Sequence, residues 1–532
     1  MTDSKMDSIV HDAGRSSNIS DGDGNLEAGA HKEYHLRFSN NNLSNRSRNM
    51  LERYINLPPA IAFSITIMST WPSLSLSLQA GLYNGGPTAL VWGMLLAGFG
   101  STAIAAVLGE MASITPQVGA QYRWTGIYAP KFLNPHFWSL IQGWLTLFAW
   151  ITLCAVWPFL TALLLQGVVI LNYPDYVPER WHATLIMWAL LAIPVFANIF
   201  ARRLLVLLEI IGGVLHIVFF FCIIITLLVL SPRSTSSFVF TTSFYGQSGW
   251  DSEFVQWCLG LLTTTGILCG FDGSLHLSDE VKDAPRKVPV AMITSMVVNS
   301  IIGFIYLIII LYCIGDVSRV LNTTTDFAII EIFYQTTGSV AWATVLSCMV
   351  VIPSLICQFG VFASVSRLVW AFAMDNGLPF SAYFSHVNTR LKIPLRALLL
   401  VTVICCLICL INIGSTTAFY AVLSLGALAL YGSYLLPVLF FLYRKLVGPS
   451  VQYGPFNMGG LSTPITIYAA VWLVFVLFWT PWPQFLPVTT DTMNWSSPIF
   501  VGVVVLAIAD WCIGGRKRFR VPTTVEDSPY VE

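Results

Sequence analysis

Twelve apolar runs divide this chain, and they leave it little choice of fold. They fall at roughly 56–82, 87–113, 137–168, 181–200, 204–230, 253–278, 288–314, 340–372, 394–412, 417–442, 463–482 and 497–514, each near the ~20 residues that a helix needs to cross a bilayer. In lipid every backbone N–H and C=O must be satisfied within the segment, so runs of this length read as helices. Of the 532 residues, 55% are hydrophobic and 10% charged, more apolar surface than a water-soluble domain can hide. The expectation is an all-α membrane protein with 12 transmembrane helices occupying residues 53–514. Residues 1–52, rich in Ser, Asn, Asp, Gly and charge, read as a disordered N-tail, and 515–532 as a C-tail.

An even number of spans puts both tails on one side. Of the 27 Lys and Arg residues, all but Arg180, Arg233 and Arg319 then fall on that side, which the positive-inside rule makes cytoplasmic. Removing one span would swap every later loop and destroy the asymmetry. No cleavable signal precedes the first run, so that run is expected to act as an uncleaved signal anchor. The amphipathic stretch Gly119–Tyr128 reads as interfacial. Sequons at Asn322 and Asn494 lie on predicted outer loops, and those at Asn18, Asn42 and Asn45 in the N-tail.

Several classes of function are excluded or disfavoured. Net charge is zero, which argues against a nucleic-acid partner. The 11 cysteines lie in or beside apolar runs, without the loop pairs of a disulfide framework. There is no phosphate loop, His-Glu-x-x-His pair or nucleophile elbow, so neither an enzyme nor a metal or organic cofactor is expected.

Two runs are interrupted. The sixth reaches Gly266, Gly270 and Gly273 around Cys269-Gly270-Phe271-Asp272; the first carries Met68-Ser69-Thr70-Trp71-Pro72-Ser73, where Pro72 lacks a donor and hydroxyls cluster. Irregular backbone at membrane depth is tolerated only where protein, a cavity or a polar ligand satisfies it, so both stretches are binding-site candidates. They stand five spans apart, the placement that an inverted five-helix repeat predicts.

Ionisable groups at depth are costly and point to function, though each has a structural alternative. Asp272 and His276 would share a face of a resumed helix, as gate, relay or substrate contact; Asp272 could equally cap that helix. His276 alone reads more readily as a packed histidine. Glu209 and His216 lie seven apart in span 5, either as a coupling pair or as interhelical hydrogen bonding. Glu110 and Asp510 sit near span ends, where a side chain can reach water. Trp71, Phe271 and Trp150 could offer aromatic faces to an ammonium group, or serve as packing.

The stretch Gly270-Phe271-Asp272-Gly273 through Glu280 and Pro285-Arg286-Lys287-Val288-Pro289 resembles the sixth-helix signature of the amino acid, polyamine and organocation permease superfamily. Gly85-Gly86-Pro87, Gly109-Glu110-Met111-Ala112-Ser113 with Pro116, Gly119-Ala120-Gln121-Tyr122, Ser366-Arg367 and Asp375-Asn376-Gly377-Leu378-Pro379 agree in order. The resemblance is strongest to the fungal branch of choline, 4-aminobutyrate and amino acid permeases, and it covers roughly residues 55 to 515.

That resemblance implies a LeuT-like fold, with a 5+5 inverted repeat plus two terminal helices. Substrate would sit between spans 1 and 6, at Ser69, Thr70, Trp71, Pro72, Ser73, Cys269, Gly270 and Phe271, with Asp272, His276 and Glu209 in gating or coupling. Gly266 stands where some relatives place a large aromatic, and span 5 lacks the lysine of certain proton-coupled relatives. The implied activity is import of small amino acids or amines such as 4-aminobutyrate by alternating access at the plasma membrane. H+ is the expected coupling ion, with Na+ still open. The alternatives are a choline or quaternary ammonium transporter and, in another class, a non-transporting nutrient sensor.

Overall fold

The computed structural model describes residues 51, 53–200, 202–244 and 247–525. Among them twelve helices are long and apolar enough to cross a membrane: spans 1 (Leu57–Tyr83), 2 (Gly86–Ile114), 3 (Pro135–Asn172), 4 (Arg180–Phe200), 5 (Leu205–Leu230), 6 (Glu253–Glu280), 7 (Ala284–Tyr312), 8 (Val340–Met374), 9 (Leu395–Gly414), 10 (Thr416–Leu446), 11 (Gly459–Trp479) and 12 (Ser496–Arg518). Hydropathy alone had placed all twelve. The described residues hold no strand, only one bridge between Ile55 and Val281. The expected N-tail, apart from Leu51, lies outside the described residues, and its three sequons with it.

Local chemistry sets the span ends. Asn134 accepts at 3.3 Å from Phe137 N to start span 3, and Ser415 accepts at 3.1 Å from Ala418 N to start span 10. Span 2 opens on Gly85 and Gly86, both at positive φ, followed by Pro87 in the first turn, where a missing N–H costs nothing.

Spans 1 and 6 are broken, and the breaks differ from the sequence expectation in detail. Span 1 runs as Leu57–Met68, breaks at Ser69 (φ 42), and resumes as Thr70–Tyr83. Pro72 sits in the first turn of the second half, so Ser69 and not the proline marks the break. Span 6 runs as Glu253–Gly266, breaks around Gly270 (φ 88), and continues to Glu280 in 3-10 turns instead of a resumed α-helix. Three residues per turn removes the shared α-helical face expected of residues four apart.

The packing has the pairing of an inverted repeat. Spans 1 and 6, 2 and 7, 3 and 8, and 4 and 9 lie against one another, and the span 3–10 contact is matched by span 8–5. Between spans 2 and 3 the short helix Ala120–Tyr128 packs on spans 3 and 10; between spans 7 and 8 its counterpart Ala328–Thr337 packs on spans 8 and 5. All nine residues of Ala120–Tyr128 are buried, so this helix is sealed under the bundle and does not float at an interface. Burial also pushes the Tyr128 phenol above its ordinary range. Spans 11 and 12 flank span 10.

Candidate substrate site and its closed side

A cavity of about 370 Å³ lies at the level of both breaks. It extends past Ala80 and Leu160 to Thr480, Gln484 and Asn494, on the face that carries the span 11–12 loop. Its walls come from spans 1, 3, 6, 8, 10 and 11, and none of its lining residues is Asp, Glu, Lys, Arg or His. Trp150, Trp157 and Tyr431 supply rings; Ser73, Thr265 and Cys269 supply small polar groups. At Gly266 a Cβ would meet nothing within 4 Å, so the missing side chain there leaves open space and relieves no packing clash.

Of the eight residues named from sequence for substrate, Ser73, Cys269 and Gly270 line the cavity. Ser69, Thr70 and Phe271 are buried behind its wall, and Thr70 donates at 3.4 Å to Ile267 O across the two breaks. Trp71 turns away: its Nε1 donates at 3.2 Å to His216 O, and its ring lies 5.4 Å from both His216 and Tyr306. The second half-helix of span 1 starts at Thr70 and carries the positive end of its dipole there; Thr70 and Trp71 N–H have no intrahelical acceptor, Pro72 has no N–H, and Ser73 N donates to Ser69 O at 2.9 Å.

Asp272 lies below the cavity, fully buried. Gln121 Nε2 donates to its Oδ2 at 2.6 Å, Trp150 Nε1 to the same oxygen at 3.3 Å, and Tyr434 OH to Oδ1 at 2.5 Å. These bonds tie span 6 to the short helix, span 3 and span 10; none goes to the backbone of its own turn, as a cap would require. His276 Nε2 stands 3.5 Å from Oδ2, outside hydrogen-bonding geometry, and the His276 ring meets Trp150 edge-on at 5.0 Å.

Three buried ion pairs complete the closed side. Arg367 of span 8 donates to Glu280 of span 6 at 2.8 Å, and Arg123 to Asp375 at 2.6 Å. Glu110 does not reach water as its position suggested: it is fully buried and takes Lys445 Nζ at 2.8 Å and Ser462 Oγ at 2.6 Å. Asp510 accepts from Arg518 Nη2 with both oxygens at 2.7 Å. Glu209 meets the Thr66 hydroxyl of span 1, whereas both ring nitrogens of His216 lack a partner.

Sequence reasoning missed Tyr431, Tyr434 and Trp157. Tyr431 and Tyr434 stand three apart in span 10, one helix face, and two phenols inside an apolar run were the available signal.

Two helices broken five spans apart around an uncharged cavity, open on one side and sealed by buried polar pairs on the other, are the build of a membrane permease. The chain belongs to the amino acid permease family, whose model matches residues 55–506. It is 30% identical to a Macrophomina phaseolina protein provisionally named an amino acid/polyamine transporter, over 82% of this chain and 96% of that one. It is also 30% identical to the choline transporter of Saccharomyces cerevisiae, over 86% and 80% of the two chains, and 28% identical to amino-acid permease 2 of Neurospora crassa, over 87% and 85%.

Proposed function

We propose that this permease is a secondary active transporter that imports small zwitterionic amino acids or amines, 4-aminobutyrate among them, by alternating access and in symport with protons. One observation carries the reading: the cavity at the two breaks has no Asp, Glu, Lys, Arg or His side chain in its wall. A zwitterion suits such a wall, because its carboxylate can lie toward the positive dipole end of the second half of span 1 while its ammonium faces carbonyls and aromatic rings. A polyamine would bring several positive charges to a site with no carboxylate, at high desolvation cost. Entry is from the span 11–12 face; export to the other side requires the Asp272 bonds and the Glu280–Arg367 pair to part. With both termini cytoplasmic, as the Lys and Arg distribution favours, this conformation faces outward from a plasma membrane.

Choline is the second reading, favoured by the three rings in the wall, Trp150, Trp157 and Tyr431, and by the likeness to the Saccharomyces transporter. Uptake of labelled 4-aminobutyrate by cells lacking their own amine permeases, at acidic and neutral pH, decides between them. Concentrative uptake that competing amino acids block and acid pH enhances supports the first reading. Entry of choline without 4-aminobutyrate moves the substrate to the second, and surface expression with no flux of either leaves the nutrient-sensor class.

A further inference from the structure

The sequence predicts that residues 515–532 leave the bundle as a tail, yet part of that tail turns back under it. Phe519 is 1% exposed and Val521 7%, whereas Arg516, Lys517 and Arg520 stay exposed. The segment therefore lies as a strap with an apolar edge turned inward.

Its seat is built from the short helix Ala120–Tyr128, the end of span 8 and the loop that follows. The Phe519 ring stands 6.3 Å from Tyr122 and 5.9 Å from Phe372, and those two rings are 5.2 Å apart. Arg520 N donates to Asp375 O at 3.0 Å, while Asp375 Oδ2 accepts from Tyr122 OH at 2.8 Å and from Arg123 Nε at 2.6 Å. Arg518 anchors the strap, donating to Asn376 O at 3.1 Å and to Gly377 O at 2.9 Å. At Gly126, one turn along the short helix from Tyr122, a Cβ would stand 3.1 Å from Val521 Cγ1 and 3.0 Å from Pro522 O. Glycine there gives the strap its room.

One helix couples this seat to the closed side. Gln121, beside Tyr122, donates to Asp272 at 2.6 Å. The helix has nine residues, so a shift of the side that holds the strap carries Gln121 with it. A ligand that binds one conformation more tightly shifts the population toward that conformation, and a tethered segment does so at high effective concentration.

We propose that the groove between Tyr122, Gly126, Phe372 and Asp375 is a peptide site whose occupant is this chain's own segment Phe519–Val525. Occupancy holds the short helix where Gln121 meets Asp272 and so favours the tail-closed conformation. The strap is a positioning element, and none of its residues lines the cavity.

Thiol labelling of the detergent-purified chain tests this without any substrate. The probe is Ser278→Cys, at a position 2% exposed in the closed state, in a Cys512→Ser background that removes the exposed thiol among the described residues. Ending the chain after Arg518 keeps the Arg518–Asp510 pair and removes Phe519 and Val521. Labelling is expected to rise by roughly fivefold or more, and a synthetic peptide of residues 519–525, added in excess, to reverse the rise. Gly126→Leu keeps the tail but fills its seat; it should raise labelling as far, and combining it with the shortened chain should add nothing. Should one of the two variants fail to fold, the other decides. Unchanged labelling in a folded variant overturns the proposal, as does a rise in the shortened chain that the peptide leaves standing. Because no substrate enters, failure of the chain to take up 4-aminobutyrate or choline would sink the transport reading and leave this result intact.

Discussion

The two halves of the pathway are built from opposite chemistry. On the side of the span 11–12 loop the wall is aromatic, aliphatic and uncharged. On the tail side, Glu280–Arg367, Glu110–Lys445 and Arg123–Asp375 are each at most 5% exposed, and Asp272 holds three side-chain donors. The difference fits the tasks. A binding wall that must release its cargo does better without fixed charge, which would hold a charged end of the substrate or repel it. A gate that must open does well with ion pairs, because the desolvation they suffer when closed nearly offsets their attraction, and water takes over their bonding when they part. Closed pairs thus fix which surfaces meet without making the closed state very deep.

Breaking the polar half at one partner should give the largest effect. Arg367→Ala takes the guanidinium at 2.8 Å away from the buried Glu280 carboxyl, and the expected cost is about 3–5 kcal/mol. Thermal unfolding of the detergent-purified chain checks it; a loss below ~1 kcal/mol would mean the pair behaves as a solvated one. Tyr434→Phe removes one donor from Asp272 and keeps the ring against Phe271, whose centroid is 5.3 Å away. Its expected cost is about 1–3 kcal/mol, together with a shift toward the tail-open conformation, readable as accessibility of a cysteine placed at Ser278. A Tyr434→Phe protein with wild-type stability and accessibility would remove Asp272 from the gate.

The neutral half should respond to volume more than to charge. Gly266→Trp is expected to abolish uptake while leaving the fold intact, because it fills space that now meets no atom within 4 Å. Gly266→Ala, the smallest effect, should change stability by no more than ~0.5 kcal/mol and raise KM modestly. Gly360→Ala is the contrasting control: its Cβ would sit 2.7 Å from Ile67 Cγ1, so it should destabilise by about 1–3 kcal/mol through overpacking. If the two glycines respond alike, the cavity is not the empty space that this contrast requires.

Much of this architecture was legible in the chain. Span count follows from apolar length, because lipid forces backbone bonds to be made within each segment. The charge asymmetry sets the expected sides of the loops, and Gly270 with the hydroxyls near Ser69 located both breaks within about two residues. Beyond that, local reasoning failed where partners came from distant spans. Pro72 drew attention as a helix breaker, yet at the third position of a new helix it breaks nothing. Glu110 was expected to find water and found Lys445, 335 residues away. Trp71 lies beside the break but gives its indole N–H to span 5, while Trp157 and Tyr431, unremarkable in apolar runs, line the cavity.

The sequence by itself determined the number of spans, the two interruptions and the family, because each depends on short-range patterns of hydropathy and backbone permissiveness. The tertiary structure alone decided which side is closed, which side chains face the cavity, and that Asp272 takes three side-chain donors while Glu209 meets a lone hydroxyl. Those outcomes depend on which helix faces meet across hundreds of residues, and a buried polar group takes its role from the partners that packing brings to it.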